Sequence, residues 1–295
     1  MVSHKTFAVV GGDLRMAYLA EALAEKSPED LIYCTSGTCA GTGTAVRLFT
    51  DIKLVLPQSN VVIFPLPLLD ANGYLNFPES APPLPFHSCL EYISPDTLVF
   101  AGRIPVAVAE QAKRYGIGLI DYMEREEFAV LNAVPTAEGA VGIALQERSR
   151  TLFGSNCLVL GNGRIGRCLV KLLIAFGAKV QVGIRKPEDH AWAKIAGATP
   201  VYFSDLAQVL QGVDVLFNTV PGMVLGSAQL HCLRRSCLLI DLASRPGGMD
   251  FDAAQAQGLR AIHALSLPGK VAPATAGENI LDTIWNILKE RGFLS

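Results

Sequence analysis

The feature that most constrains this chain is a glycine-rich turn held between an apolar run and an amphipathic helix. Cys157-Leu158-Val159-Leu160 reads as a buried strand, and Gly161-Asn162-Gly163-Arg164-Ile165-Gly166 follows it directly. The pattern is Gly-x-Gly-x-x-Gly. The spacing predicts a helix over 164–176, closed by Gly177 as its C-cap. In that setting the first glycine permits the tight turn, the second lets the backbone approach a pyrophosphate, and the third lets helix and strand pack closely. The helix N-terminus then offers free N–H groups and a partial positive charge to phosphate oxygens. Strand, fingerprint and helix in this order predict a dinucleotide site.

The rest of the chain keeps the same alternation of short apolar runs with amphipathic stretches, the pattern of stacked βα units. Strands are expected at Phe7–Val10, Leu31–Cys34, Val61–Phe64, Thr97–Ala101 and Gly118–Ile120, with a helix over Leu14–Lys26. A second series follows at 157–160, Val180–Ile184, Val215–Asn218 and Leu238–Asp241. Asn72–Pro85 is rich in proline (Pro78, Pro82, Pro83 and Pro85) and reads as loop. A connecting helix is expected over Glu124–Gln146, interrupted near Pro135. A Thr275-x-x-Glu278 capping box predicts a last helix to about Glu290, returning to the first domain. With 295 residues, the expectation is an α/β protein of two doubly wound domains. Residues 1–130 with 275–295 form a flavodoxin-like N-terminal domain for substrate or partner, and 131–274 an NAD(P)-binding Rossmann domain.

The second strand of the Rossmann unit speaks to which dinucleotide binds. NAD sites place Asp or Glu about 20 residues beyond the fingerprint, on the ribose 2′-hydroxyl. Here Ile184 is followed by Arg185 and Lys186, with no carboxylate until Glu188. Two cations there suit a 2′-phosphate, so NADP is expected in preference to NAD. Two further strand ends, Asn218-Thr219-Val220-Pro221 and Asp241-Leu242-Ala243-Ser244, fall where a Rossmann sheet presents its carboxyl edge to the nicotinamide. Gly11-Gly12-Asp13 of the first unit lacks the third glycine and reads as a structural turn.

Composition excludes other classes. The 25 Lys and Arg balance 27 Asp and Glu, for a net charge of -2. No basic excess exists to attract nucleic acid. The uncharged stretch Leu54–Leu69 is broken by Pro57, Pro65 and Pro67, which argues against a membrane helix. Met1-Val2-Ser3-His4-Lys5 opens without an apolar leader, and a cytoplasmic location is expected. The 7 cysteines include no Cys-x-x-Cys pair and read as small buried hydrophobes. The 5 histidines show no ligand spacing, so no metal site is expected.

Several runs together resemble the A subunit of dipicolinate synthase, an enzyme of spore-forming bacteria. They are Glu124-Arg125, the Asn132-x-x-Pro135-Thr136-x-Glu138-Gly139 run, Leu160–Gly166, Asp241-Leu242-Ala243-Ser244-Arg245-Pro246-Gly247-Gly248 and Leu267-Pro268-Gly269-Lys270-Val271-Ala272-Pro273. The second and fourth are far more specific than the glycine fingerprint. The order and spacing of the runs agree with that subunit across most of the chain, the Val9-Val10-Gly11-Gly12-Asp13 start fits too, and Ala71–Pro85 does not match the pattern. The resemblance implies NADP-dependent oxidation of a dihydrodipicolinate-type lysine-pathway intermediate to pyridine-2,6-dicarboxylate during sporulation. It also implies that the partner is a flavoprotein-like B subunit, any flavin being held by that partner, and that the protein forms a homo- or hetero-oligomer.

A dicarboxylate substrate calls for cationic clamps, and the fork of Arg matches a carboxylate. Arg125 and Arg245 lie in the resembling runs and are expected in a cleft between the domains, the alternative for each being a surface ion pair. Asn132, Thr136 and the N–H groups after Pro135 would complete a carboxylate site at a helix N-terminus, and Glu138 would be a general base or substrate contact. The alternatives for Thr136 and Glu138 are helix capping and interdomain hydrogen bonds. His263 is a second possible base, or a structural histidine. Two rival functions stay open: a stand-alone hydroxy-acid or amino-acid dehydrogenase, and a non-catalytic nucleotide-binding subunit supporting a flavoprotein.

Overall fold

Parallel strand pairing organises this protein twice over. The computed structural model describes residues 4–35, 46–77 and 82–294. Met1–Ser3, Cys39 and Pro78, all used in reading the sequence, lie outside the described residues. The chain divides into two units, Met1–Leu131 with Ala272–Ser295, and Asn132–Val271.

The first unit carries β1 (Thr6–Val9), β2 (Leu31–Cys34), β3 (Val46–Leu48), β4 (Val61–Ile63), β5 (Leu98–Ala101) and β6 (Leu119–Asp121). They form one parallel sheet in the order β3-β2-β1-β4-β5-β6. Without the short edge strand β3 this is the flavodoxin order. Both faces are covered. Phe7 and Val9 pack with the helix Leu14–Lys26 and the C-terminal helix Pro273–Glu290, while Ala8 and Val10 enter a separate core with Phe64, Phe86 and Leu90. Period-two side chains that are apolar on both faces are what a buried parallel strand requires.

The second unit repeats the scheme with β7 (Asn156–Leu160), β8 (Lys179–Ile184), β9 (Thr199–Tyr202), β10 (Val215–Asn218), β11 (Leu238–Asp241) and β12 (Arg260–His263). Its order is β12-β11-β10-β7-β8-β9, again wholly parallel. Read from β9, this is the Rossmann order, with its switch point between β7 and β10. Cys157 and Val159 face one core, Leu158 and Leu160 the other.

Two sequence expectations are corrected. The connecting helix runs unbroken over Glu126–Glu147 with Pro135 inside it. Proline removes one hydrogen bond, the one to the Leu131 carbonyl; the next residue, Thr136, still turns its hydroxyl onto the Asn132 carbonyl at 2.8 Å. The N–H groups after Pro135 therefore lie in a helix interior and form no helix N-terminus. Nor does Thr275 cap the last helix, which starts at Pro273 with Ala272 at its N-cap. Proline at the first helical position fixes that start three residues earlier, the N-cap being residue 272 rather than 275.

Among the described residues, Glu126–Glu147 is also the one helix long and apolar enough to cross a membrane. Half of its most apolar stretch is buried, through side chains such as Ala137, Ala140 and Ala144. A core helix does the same.

Candidate active site

The carboxyl edge of the second sheet is assembled at the end of β7. The Leu160 carbonyl accepts from the Thr219 backbone N–H at 2.9 Å and from its hydroxyl at 2.8 Å. The Gly161 N–H donates to the Gly183 carbonyl at 2.9 Å. The ends of β7, β8 and β10 are thus tied at the switch point. Gly161 has φ +96°, and a Cβ there would lie 2.5 Å from the Thr219 hydroxyl. At Gly166 a Cβ would meet the Gly161 carbonyl oxygen at 2.2 Å, so no other residue lets the helix Arg164–Ala175 approach its strand.

Gly163 is the exception. It is the helix N-cap, offers no side-chain cap, and has nothing within 4 Å of the place its Cβ would take. A helix N-terminus with no side-chain cap and room beside its N-cap glycine is the kind of anion site that a pyrophosphate needs. The turn fits a dinucleotide on the structure's own terms. Asn162 stiffens it: the side chain is buried, its amide donates to the Asp189 carbonyl at 3.2 Å, and its backbone carbonyl accepts from Arg167 Nε at 3.1 Å. Ile165 turns its side chain onto the core, so only its backbone faces the turn. Arg164 is exposed beside it.

Arg185 and Lys186 are exposed where β8 ends. The Arg185 guanidinium lies 5.0 Å from the Phe203 ring centroid. Lys186 precedes the helix Pro187–Ile195, its ammonium 3.4 Å from the Glu188 carboxylate.

Asn218 and Asp241 end the adjacent strands β10 and β11 at equal register, and both are fully buried. The Asn218 amide donates to Asp241 Oδ1 at 2.8 Å and to the Val220 carbonyl at 3.0 Å, and its oxygen accepts from the Val220 N–H at 3.1 Å. Asp241 also accepts from the Ala243 N–H at 3.0 Å and, through Oδ2, from the Gly248 N–H at 2.7 Å. One buried carboxylate, satisfied by neutral donors, therefore shapes both loops at the carboxyl edge of the sheet. Gly248 is required there, because a Cβ would sit 2.2 Å from the Asn218 amide nitrogen. Sequence reading placed Asn218 at the site but gave Asp241 no role. The available signal was two polar residues ending two neighbouring apolar strands.

Ala243 is buried, whereas Ser244, Arg245 and Pro221 are exposed on those loops, with Thr219 and Val220 half-buried beneath. Arg245 makes no side-chain hydrogen bond or ion pair among the described residues. His263 hydrogen-bonds through Nε2 to the Ala243 carbonyl at 2.8 Å and stacks on Phe251. It supports the loop.

The remaining candidates separate. Arg125 is corrected: its guanidinium grips both oxygens of Glu290 at 2.6 and 2.7 Å and one of Glu127 at 2.8 Å. Its hydrogen bonds to Glu290 and then to Glu127 raise its pKa further. Its fork is filled within the first unit, leaving none for a substrate carboxylate. Thr136 spends its hydroxyl on the Asn132 carbonyl, while Asn132 is half-buried and Glu138 exposed on the same helix. Burial pushes the Cys89, Cys157 and Cys237 thiols up to about 12, which removes them as nucleophiles near neutrality. No group of three or more metal-ligating side chains occurs among the described residues.

Comparison with known proteins agrees with this geometry. Residues 6–123 match the family of N-terminal domains of the dipicolinate synthase A subunit, and residues 136–244 match the D-isomer specific 2-hydroxyacid dehydrogenase, NAD binding domain family. The chain is 31% identical over 294 residues to the A subunit of dipicolinate synthase from Bacillus subtilis, covering 98% of each. It superposes on the crystal structure of the Bacillus halodurans A subunit of dipicolinate synthase with a TM-score of 0.88 at 29% identity, covering 98% of this chain and 99% of that one. The corresponding Bacillus subtilis structure gives 0.86 at 30% identity, covering 98% and 97%. A helix N-terminus without a side-chain cap at a Rossmann switch point and a relative matched over 98% of each chain lead to one conclusion: the chain belongs to the family of dipicolinate synthase A subunits and is a nicotinamide-dependent oxidoreductase.

Proposed function

We propose that this chain is the NADP-binding subunit of a dipicolinate synthase, oxidising a dihydrodipicolinate-type intermediate to pyridine-2,6-dicarboxylate in the cytoplasm beside a flavoprotein-like B subunit. The observation that carries the reading is the uncapped N-terminus at Gly163, with Arg185 and no carboxylate at the end of β8. Gly161 to Gly166 would hold the pyrophosphate, Arg185 with Lys186 the 2′-phosphate, and the Asn218 and Asp241 loops the nicotinamide.

When bound, an oxidised nicotinamide supplies an acceptor for one hydride. The chain's own part is orientation and charge. Arg245 is a free guanidinium on the loop that Asp241 shapes, and it would take one substrate carboxylate. Asn132 and Glu138 are the remaining polar contacts proposed, with Glu138 receiving the ring proton. Aromatisation provides driving force, so positioning is the larger demand on the protein.

The test is an assay of the purified chain alone and with the B subunit, on dihydrodipicolinate with NADP, NAD and flavin. Turnover with NADP by the chain alone supports the reading. Turnover that needs only the partner and its flavin would make this chain a non-catalytic nucleotide-binding subunit. Arg245→Met should raise KM far more than it changes NADP affinity.

A further inference from the structure

The amino-terminal edge of the second sheet, opposite the glycine turn, carries a feature that the oxidoreductase reading does not use. A cavity of about 550 Å³ opens there, lined by Arg148, Arg150, Arg234, Arg235 and Arg260 together with Glu147 and Asp214. It lies where β10, β11 and β12 begin and where the chain turns from the helix Glu126–Glu147 toward β7. A second hollow of about 440 Å³ shares Arg148, Arg150 and Asp214.

The charges do not cancel. Glu147 is paired with Arg260. Asp214 accepts from Arg234 at 3.1 Å and from the Asn156 N–H at 2.8 Å, so both its oxygens are engaged. Among the described residues Arg148 reaches only neutral partners, the Ser155 hydroxyl at 3.2 Å and the Thr151 carbonyl at 3.5 Å. Arg150 and Arg235 are exposed and make no hydrogen bond or ion pair among the described residues. Three guanidiniums thus share one concavity with no carboxylate left to neutralise them, in a chain whose net charge is -2. Packing that needed only helix and loop ties would account for Arg148, Arg234 and Arg260 but not for the other two.

We propose that this cavity binds a small polyanion bearing two or three carboxylate or phosphate groups. Its volume is that of a small-molecule site, and planar forks match carboxylate and phosphate oxygens bidentately. β7 spans five residues between this edge and Gly161, roughly 16 Å at 3.3 Å per residue. A ligand here therefore occupies a site separate from the dinucleotide and does not depend on the proposed reaction.

The experiment titrates the intact protein with citrate and with inorganic pyrophosphate by calorimetry, at ionic strength fixed with chloride and with saturating NADP present. Saturable binding is expected, and comparing the two probes tells carboxylate from phosphate preference. The double variant Arg150→Glu/Arg235→Glu, at positions without internal partners, should keep its circular dichroism and NADP affinity while weakening the anion by at least about tenfold. Absence of saturable binding, binding untouched by the double variant, or binding abolished by NADP would each overturn the site. Failure of NADP itself to bind is read separately and bears on the proposed function alone.

Discussion

In both units the first strand leads into a turn containing two adjacent or near-adjacent glycines and then a helix, yet only one turn is open. In the first unit Gly11 and Gly12 are hemmed in by their own chain: a Cβ would meet the Asn76 carbonyl oxygen at 2.7 Å and Met16 Cγ at 2.3 Å, respectively. The Gly12 N–H is spent on the Asn76 carbonyl at 2.6 Å and the Gly11 N–H on the Thr35 hydroxyl at 2.6 Å. Asp13 then caps the helix, accepting from the Arg15 N–H and guanidinium. In the second unit Gly163 occupies the N-cap and faces empty space. Equal topology therefore does not give equal function. A carboxylate at the N-cap satisfies the helix and repels a phosphate; a glycine leaves both possibilities to a ligand.

The sharpest way to break this contrast is to transplant the acidic cap. Gly163 has extended backbone (φ -79°, ψ -163°) and room for a side chain. Gly163→Asp should keep or raise the Tm while weakening the dinucleotide by about a hundredfold or more, because a charged contact becomes a repulsion. Fluorescence titration with NADPH measures it, and unchanged affinity would remove the phosphate from this turn.

An effect of comparable size is expected from Asp241→Leu, which takes one partner from the Asn218 amide and leaves the Ala243 and Gly248 N–H groups without theirs. The penalty should be about 2–5 kcal/mol in denaturant unfolding, with loss of turnover from the misplaced loops. Arg185→Asp should weaken NADP by about 1.5–3 kcal/mol and leave NAD nearly unchanged; calorimetry with both cofactors decides it, and tighter binding of NAD by the unmodified protein would reverse the assignment. Smallest is Asp13→Ala, a lost helix cap costing about 1 kcal/mol of stability. Dinucleotide affinity should not move, as chemical denaturation run alongside the titration would establish.

The central strands were legible because burial on both faces writes itself as a continuous apolar run. Val215–Asn218 and Leu238–Asp241 end where the sequence puts them. Val46–Leu48, Thr199–Tyr202 and Arg260–His263 were not legible, and all three are edge strands with polar, partly exposed residues. Pro135 misled because a proline's missing bond is visible in sequence, whereas the packing that tolerates it is not. At the site the glycine fingerprint could be read directly. The Asn218–Asp241 bond could not, since a contact between strand ends depends on register. Arg125 shows the converse: its partner Glu290 lies far away in sequence, so a structural ion pair looked like an unused cation.

The C-terminal helix also sets an order of events during synthesis. Gly277 lies against Leu14–Lys26 so closely that a Cβ would meet the Arg15 carbonyl oxygen at 2.4 Å, and Ile280, Ile284 and Leu288 complete the core around Leu19 and Leu23. Those residues leave the ribosome only after the whole of Asn132–Val271 has been translated. At roughly 5–20 residues per second, the nascent first unit waits many seconds with an apolar helix face uncovered. The segment that completes the first unit is translated after the whole of the second, so the apolar face of Leu14–Lys26 stays without its cover until the second unit has been made.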